Sequence, residues 1–204
     1  YDQVLGDDPR GNGQADLCIF GKQITPNLHK IARDFVLLDN TYCSGILSAD
    51  GHQWCTTAFA TAFMEKSFAG FPRSYPDGMG DDEKDALIYS PAGFIWDNAI
   101  KHHKTLRNFG EFAAPRVRWR DPAKKGNPDF MSCFRTWKKE SDDVVFACEA
   151  TVPTLDPYTP RDTVGWNMSV PAQFRADYFI QDLKRCEEKG EWPNLTFICL
   201  PQDH

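Results

Sequence analysis

The sequence predicts an α/β fold, with a mostly parallel sheet covered by helices on both faces. Three observations predict it. Helical patterns alternate with short candidate strands across 25–38, 90–109 and 171–200, as in strands joined by helical crossovers. The run at Phe35–Leu38 is continuously apolar and that at Leu195–Leu200 nearly so, as expected of strands buried on both faces. Each helical stretch also carries a start signal, a capping residue or a proline at its first position.

Residues 1–23 are dense in Gly, Asn, Asp and Pro and read as successive tight turns, a surface loop or the rim of a site. Thr25-Pro26 starts a helix, with Leu28, Ile31, Ala32 and Phe35 as its apolar face. Phe35–Leu38 is then a buried strand. From Ser48 a second helix runs to about Met64, with Asp50 in its first turn, where the helix dipole favours a negative charge.

Residues 65–89 read as irregular. Ser90-Pro91 starts the next helix, through Ile95, Trp96, Ala99 and Ile100 to a basic turn at Lys101–Lys104. Thr105–Phe109 is a strand closed by Gly110 and Glu111. Residues 112–168 show weak periodicity and read as an irregular insertion or cap over the sheet edge. Pro171 starts the longest helix, to about Lys189, with Phe174, Tyr178, Phe179, Leu183 and Cys186 as its stripe and Gly190 as its C-cap. Leu195–Leu200 is the last strand, and it leads into Asp203 and His204.

With 204 residues and 41% hydrophobic content, the chain has material for one folded domain with a substantial core. A net charge of −6 argues against a nucleic-acid partner, because phosphate backbones are held by clustered Lys and Arg. No apolar run reaches the roughly 18–20 residues of a membrane span. Seven cysteines without a CxxC pair leave the redox compartment open, and a Cys133–Cys148 disulfide is one pairing they allow.

Two groups of residues could carry chemistry. Ser48 stands at a strand-to-helix junction, where a helix N-terminus favours an alkoxide or a bound phosphate. On spacing alone, a serine that merely caps the helix is the stronger reading. Asp50 and His52 add proton or metal chemistry beside it. Asp203-His204 at the end of an apolar strand offers a hard and a borderline ligand for Zn²⁺ or Mn²⁺, though two adjacent residues do not define a site.

The run TPNLHKIARDFVLLDN with Ser48 eight residues after Asn40 resembles the alkaline phosphatase and sulfatase superfamily. Its bacterial phosphoesterase branch is the nearer likeness, through YDQVLGD, SADGHQW, EKSFAGFPRSYP, SPAGFIWDNA, NFGEF, VPAQFRADYF and PNLTFICLPQDH. The resemblance implies a three-layer alkaline-phosphatase-like fold and a metal-dependent hydrolase of phosphate esters working through a phosphoserine. Ser48 matches the nucleophile, which also contacts metal, with Asp50 and His52 beside it. Asp203 and His204 match metal ligands, and Glu111 falls near a substrate-contacting position. The implied cofactor is a divalent metal, zinc first, with manganese or calcium as alternatives. The implied partner is a small phosphate ester, and the implied location is periplasmic or secreted.

In that family an acid-plus-asparagine ligand pair precedes the YDQVLGD-like segment, and further ligands follow the position of His204. The expectation is therefore a single partial catalytic domain over 1–204, incomplete at both ends. A sulfatase or phosphonate hydrolase on the same fold is one alternative, lowered because no CxPSR-like signature surrounds Ser48. A binding or scaffold domain that has lost metal ligands is the other.

Overall fold

A computed structural model describes residues 1–43, 48–58, 60–66 and 89–201. The chain divides into two compact units, Tyr1–Ser44 and Gly45–His204. Among the described residues the fold is mixed α/β, and no helix is long and apolar enough to cross a membrane.

The first unit holds α1 (Asp2–Leu5), a 3-10 turn at Ala15–Leu17 and α2 (Pro26–Asp34). Helix α2 begins where the sequence predicts, with Thr25 at the N-cap and Pro26 in the first turn. The Thr25 hydroxyl donates to the Phe20 carbonyl (2.7 Å) instead of capping the helix. Side chains tie the preceding turns together. The Asp2 carboxylate accepts from the Gln14 N–H at 2.9 Å, Asp7 from the Lys22 N–H at 3.0 Å, and Asp8 grips the Arg10 guanidinium through both oxygens.

The face that α2 buries shares only Ala32 with the predicted one. His29 and Ala32 are buried, while Leu28, Ile31 and Phe35 are exposed, Phe35 to 76%. The His29–Asp7 pair at 2.8 Å explains the register, because it requires the His29 face to point inward. The strand expected at Phe35–Leu38 is also absent. Val36 is 77% exposed, and among the described residues this run joins no ladder. A strand buried on both faces requires neighbours, and these residues have none described beside them.

The second unit begins with α3 (Ser48–Thr57) and α4 (Ala62–Lys66). The sequence predicts one helix here, but Ala58 takes a left-handed conformation (φ 64°) just after α3. Thr56 and Thr57 bond back to the carbonyls of His52 and Gln53, a contact that competes with regular helix geometry. Helix α5 spans Ile95–Lys101 and starts later than Ser90-Pro91 predicts. Ser90 instead closes a turn, its hydroxyl accepting from the Ala92 N–H and its carbonyl from the Gly93 N–H. The helix start signal comes from Asp97, whose carboxylate reaches back to the Phe94 N–H at 2.8 Å.

Strands β1 (Leu106–Phe109) and β6 (Leu195–Ile198) pair in parallel, Leu106 opposite Leu195 and Phe109 opposite Ile198. Both match predicted strands, shortened at their ends. Successive residues of a strand face opposite ways, and β1 uses both faces. Leu106 joins Phe94, Trp96, Phe112, Val152 and Leu155 in the main core. On the other face Phe109 meets Phe179 of helix α7 (Ala172–Lys189) at 5.3 Å. Helices α5 and α7 therefore cover opposite sides of this parallel pair.

Residues 112–168, aperiodic in sequence, carry regular structure. Strand β2 (Ala113–Pro115) pairs antiparallel with β5 (Cys148–Ala150), and β3 (Arg118–Trp119) with β4 (Val144–Val145). Helix α6 (Phe130–Trp137) starts at Asp129, whose carboxylate accepts from the Ser132 N–H at 2.8 Å. Cys133 and Cys148 are both buried thiols, so the Cys133–Cys148 disulfide is not formed. The Cys148 thiol donates to the Pro160 carbonyl instead.

Helix α7 ends at Gly190 in the left-handed region (φ 67°), as the sequence predicts. Its inward face is the expected stripe, whose residues are half-buried, with two charged residues along its centre. Arg175 and Asp182 are its buried residues. Arg175 donates to the carbonyls of Gly165, Asn167 and Val170, and Asp182 accepts two 3.0 Å bonds from Arg107 of β1. These bonds offset the cost of turning charged groups inward, although the buried Arg175 Nε finds no partner among the described residues.

Candidate active site

The chain turns sharply at the carboxyl end of β1, where α/β sheets gather their ligands. Gly110 has φ 100°, and a Cβ there would stand 2.7 Å from the Val164 carbonyl oxygen. Phe112, two residues on, is also left-handed at φ 42°, an uncommon conformation for a bulky residue. Burial in the core and two hydrogen bonds from Thr151 to its carbonyl hold it there.

This turn presents Glu111 to helix α3. The Glu111 carboxylate lies 2.6 Å from Nδ1 of His52, with the imidazole half-buried and the carboxylate largely so. The Phe112 ring backs the imidazole at 5.8 Å between centroids. Ser48 is the first residue of α3 and is exposed. It precedes His52 by four residues, so the two lie on one face of the helix, with Cβ atoms about 5–6 Å apart. Asp50 is buried and, two residues from Ser48, projects from a different side of the helix.

The fold therefore brings together three of the sequence-predicted residues, Ser48, His52 and Glu111, and turns Asp50 inward. Asp203 and His204 lie outside the described residues. Among the described residues no three His, Cys, Asp or Glu side chains gather to hold a metal ion. Of the expected ligands only Ser48 is described, and the described residues alone do not build a metal centre.

One contributor was missed from the sequence. Asn108, the first residue of NFGEF, is fully buried and bonded to both backbone polar groups of Glu111. Its signal was a carboxamide within a predicted strand, which requires partners if it is buried. Compared with known proteins, the chain matches no family model, no curated protein and no solved structure.

Proposed function

We propose that the chain is a phosphoesterase that cleaves phosphate esters with Ser48 as nucleophile. The observation that carries this reading is the His52–Glu111 hydrogen bond one helical turn from Ser48. A serine hydroxyl is a weak nucleophile until a neighbouring base takes its proton. A carboxylate at Nδ1 selects the tautomer in which the other ring nitrogen is that base, and stabilises the imidazolium once formed.

In the proposed reaction Ser48 Oγ attacks phosphorus while its proton passes to His52. The ester P–O bond breaks, and His52 returns the proton to the departing oxygen. Water then attacks the phosphoserine, giving a proton to His52 and releasing phosphate as Ser48 regains its hydroxyl. Backbone N–H groups at the start of α3 face the phosphoryl oxygens, since a helix N-terminus favours negative charge. We assign Asp50 to support of that first turn.

The three-layer, mostly parallel fold belongs to the same proposal, with β1 and β6 as two of its strands. Dependence on a divalent metal, zinc first, is carried from the resemblance and rests on Asp203 and His204.

The test is hydrolysis of p-nitrophenyl phosphate, bis(p-nitrophenyl) phosphate and p-nitrophenyl sulfate by the full-length protein and its Ser48→Ala variant. Hydrolysis of a phosphate ester that Ser48→Ala abolishes, with a phosphoserine trapped at Ser48 by acid quench, supports the proposal. Undiminished phosphatase activity in Ser48→Ala sinks it, and turnover of the sulfate ester alone makes the chain a sulfatase.

A further inference from the structure

The Asn108 carboxamide sits at the centre of a hydrogen-bonded chain that ends on the Glu111 backbone. At its outer end the Thr159 hydroxyl donates to the Leu155 carbonyl at 3.0 Å. That commits the hydroxyl hydrogen, so Thr159 can only accept from Asn108 Nδ2, 2.9 Å away. The carboxamide orientation follows, because its nitrogen must face Thr159 and its oxygen must face the other way. The second Nδ2 hydrogen goes to the Glu111 carbonyl at 2.9 Å, and Oδ1 accepts from the Glu111 N–H at 3.0 Å.

One side chain thus takes both the donor and the acceptor of the Glu111 main chain. It is fully buried, as Thr159 nearly is, so no water competes for these bonds. The turn being held includes the left-handed Gly110 and Phe112, a conformation that persists only when its surroundings over-determine it.

We infer that Asn108 is a positioning residue for the proposed reaction, setting the Glu111 carboxylate that orients His52. This rests on the functional reading above. Thr159 acts one step further out, by fixing which end of the Asn108 carboxamide meets the Glu111 N–H. A carboxylate displaced by an ångström no longer meets Nδ1 at 2.6 Å, and displacements of that size cost activity by about 10²-fold.

The experiment compares wild type, Asn108→Ala, Glu111→Gln, their double variant and Thr159→Val in the full-length protein. Two readouts are taken, the proton resonance of His52 Nδ1–H and steady-state hydrolysis of the p-nitrophenyl ester that wild type cleaves. Asn108→Ala is expected to move the resonance toward its position in Glu111→Gln and to lower kcat about 10²-fold with little change in KM. The double variant is expected to be no slower than Glu111→Gln alone, because Asn108 acts through that carboxylate.

Additive losses in the double variant, or a folded Asn108→Ala with the wild-type His52 resonance, overturn the inference. If Asn108→Ala does not fold, Thr159→Val decides. A displaced His52 resonance with lowered kcat supports the role, and wild-type values for both overturn it. The resonance separates this inference from the functional reading. If Ser48→Ala keeps full activity the reaction is wrong, while the resonance still tells whether Asn108 sets the Glu111–His52 pair.

Discussion

Glu111 Oε1 and His52 Nδ1 lie 2.6 Å apart, joining the turn after β1 to the second turn of α3 across 59 positions of sequence. Removing the imidazole by His52→Ala is expected to lower kcat by about 10²–10⁴-fold, the range for a lost general base. Glu111→Gln keeps the shape of the side chain without its charge, so a smaller loss is expected, about 10²-fold. Steady-state kinetics on both variants checks this order. A Glu111→Gln variant slower than His52→Ala contradicts a supporting role for the carboxylate.

The first unit has its own pH dependence. Both ring nitrogens of His29 face acceptors, Asp7 at Nε2 and the Thr25 carbonyl at Nδ1, an arrangement that favours the imidazolium. The Asp7 hydrogen bond, and after it the Thr25 carbonyl, raise its pKa above the ordinary 6.5 against the opposing effect of burial. A raised folded value means that the contribution is whole below about pH 6.5 and is lost as pH rises through the folded pKa. On the acid side, the Lys22 N–H and then the His29 ring hold the Asp7 carboxyl down at about 2. That contribution is present above about pH 3.8 and fades as pH falls toward 2. Hydrogen-exchange protection factors for the α2 amides are therefore expected to fall in His29→Gln at pH 5.5 and to match wild type at high pH. An equal loss at both pH values counts against the pair.

Gly110→Ala tests the turn that carries Glu111. The new Cβ meets the Val164 carbonyl oxygen at 2.7 Å from a backbone at φ 100°, so a loss of about 1–3 kcal/mol in stability is expected. Urea unfolding measures it. A variant as stable as wild type shows that the turn can take another conformation.

Arg175 donates to three carbonyls of the 165–170 loop, of which that of Asn167 also accepts from the Val170 N–H. Each buried carbonyl left unpaired costs about 1–3 kcal/mol, so Arg175→Leu is expected to lose about 3 kcal/mol or more. Lysine carries the charge without the planar fork and is expected to recover only part of it. Equilibrium denaturation of the two variants gives the comparison, and full recovery by lysine rejects the fork as the cause.

The thiols are expected to react in two classes. Burial pushes both Cys133 and Cys148 up to about 11, which leaves few thiolates at pH 8. Cys43 and Cys55 are exposed. Iodoacetamide under native conditions, followed by peptide mass spectrometry, is expected to label Cys43 and Cys55 first, and Cys133 and Cys148 only after denaturation. Early labelling of Cys133 contradicts its burial in the core.

Local signals were enough for much of the fold. Pro26 and Gly190 mark real helix ends because the fixed φ of a first-turn proline and left-handed closure depend on a few adjacent residues. The short runs that became β1 and β6 were legible because each follows a helical pattern and is bounded by a turn signal. Phe35–Leu38 is more apolar than either and forms no described ladder, because pairing depends on a neighbour that composition does not reveal. Ser90-Pro91 looked like a helix start and is a turn, since a serine hydroxyl can satisfy the backbone either way. The ladders in 112–168 left no periodic trace because strands of two or three residues are too short to show one.

The same division runs through the candidate site. Ser48 and His52 are four residues apart on one helix, so their shared face follows from local geometry. Their link to Glu111, and the link from Glu111 to Asn108 and Thr159, joins segments up to 59 positions apart. Such bonds form only after β1, α3 and the loop around residue 159 have packed, because the energy of a hydrogen bond depends on ångström distances. The residue types at the site could be read from the chain, whereas their meeting required the packed fold.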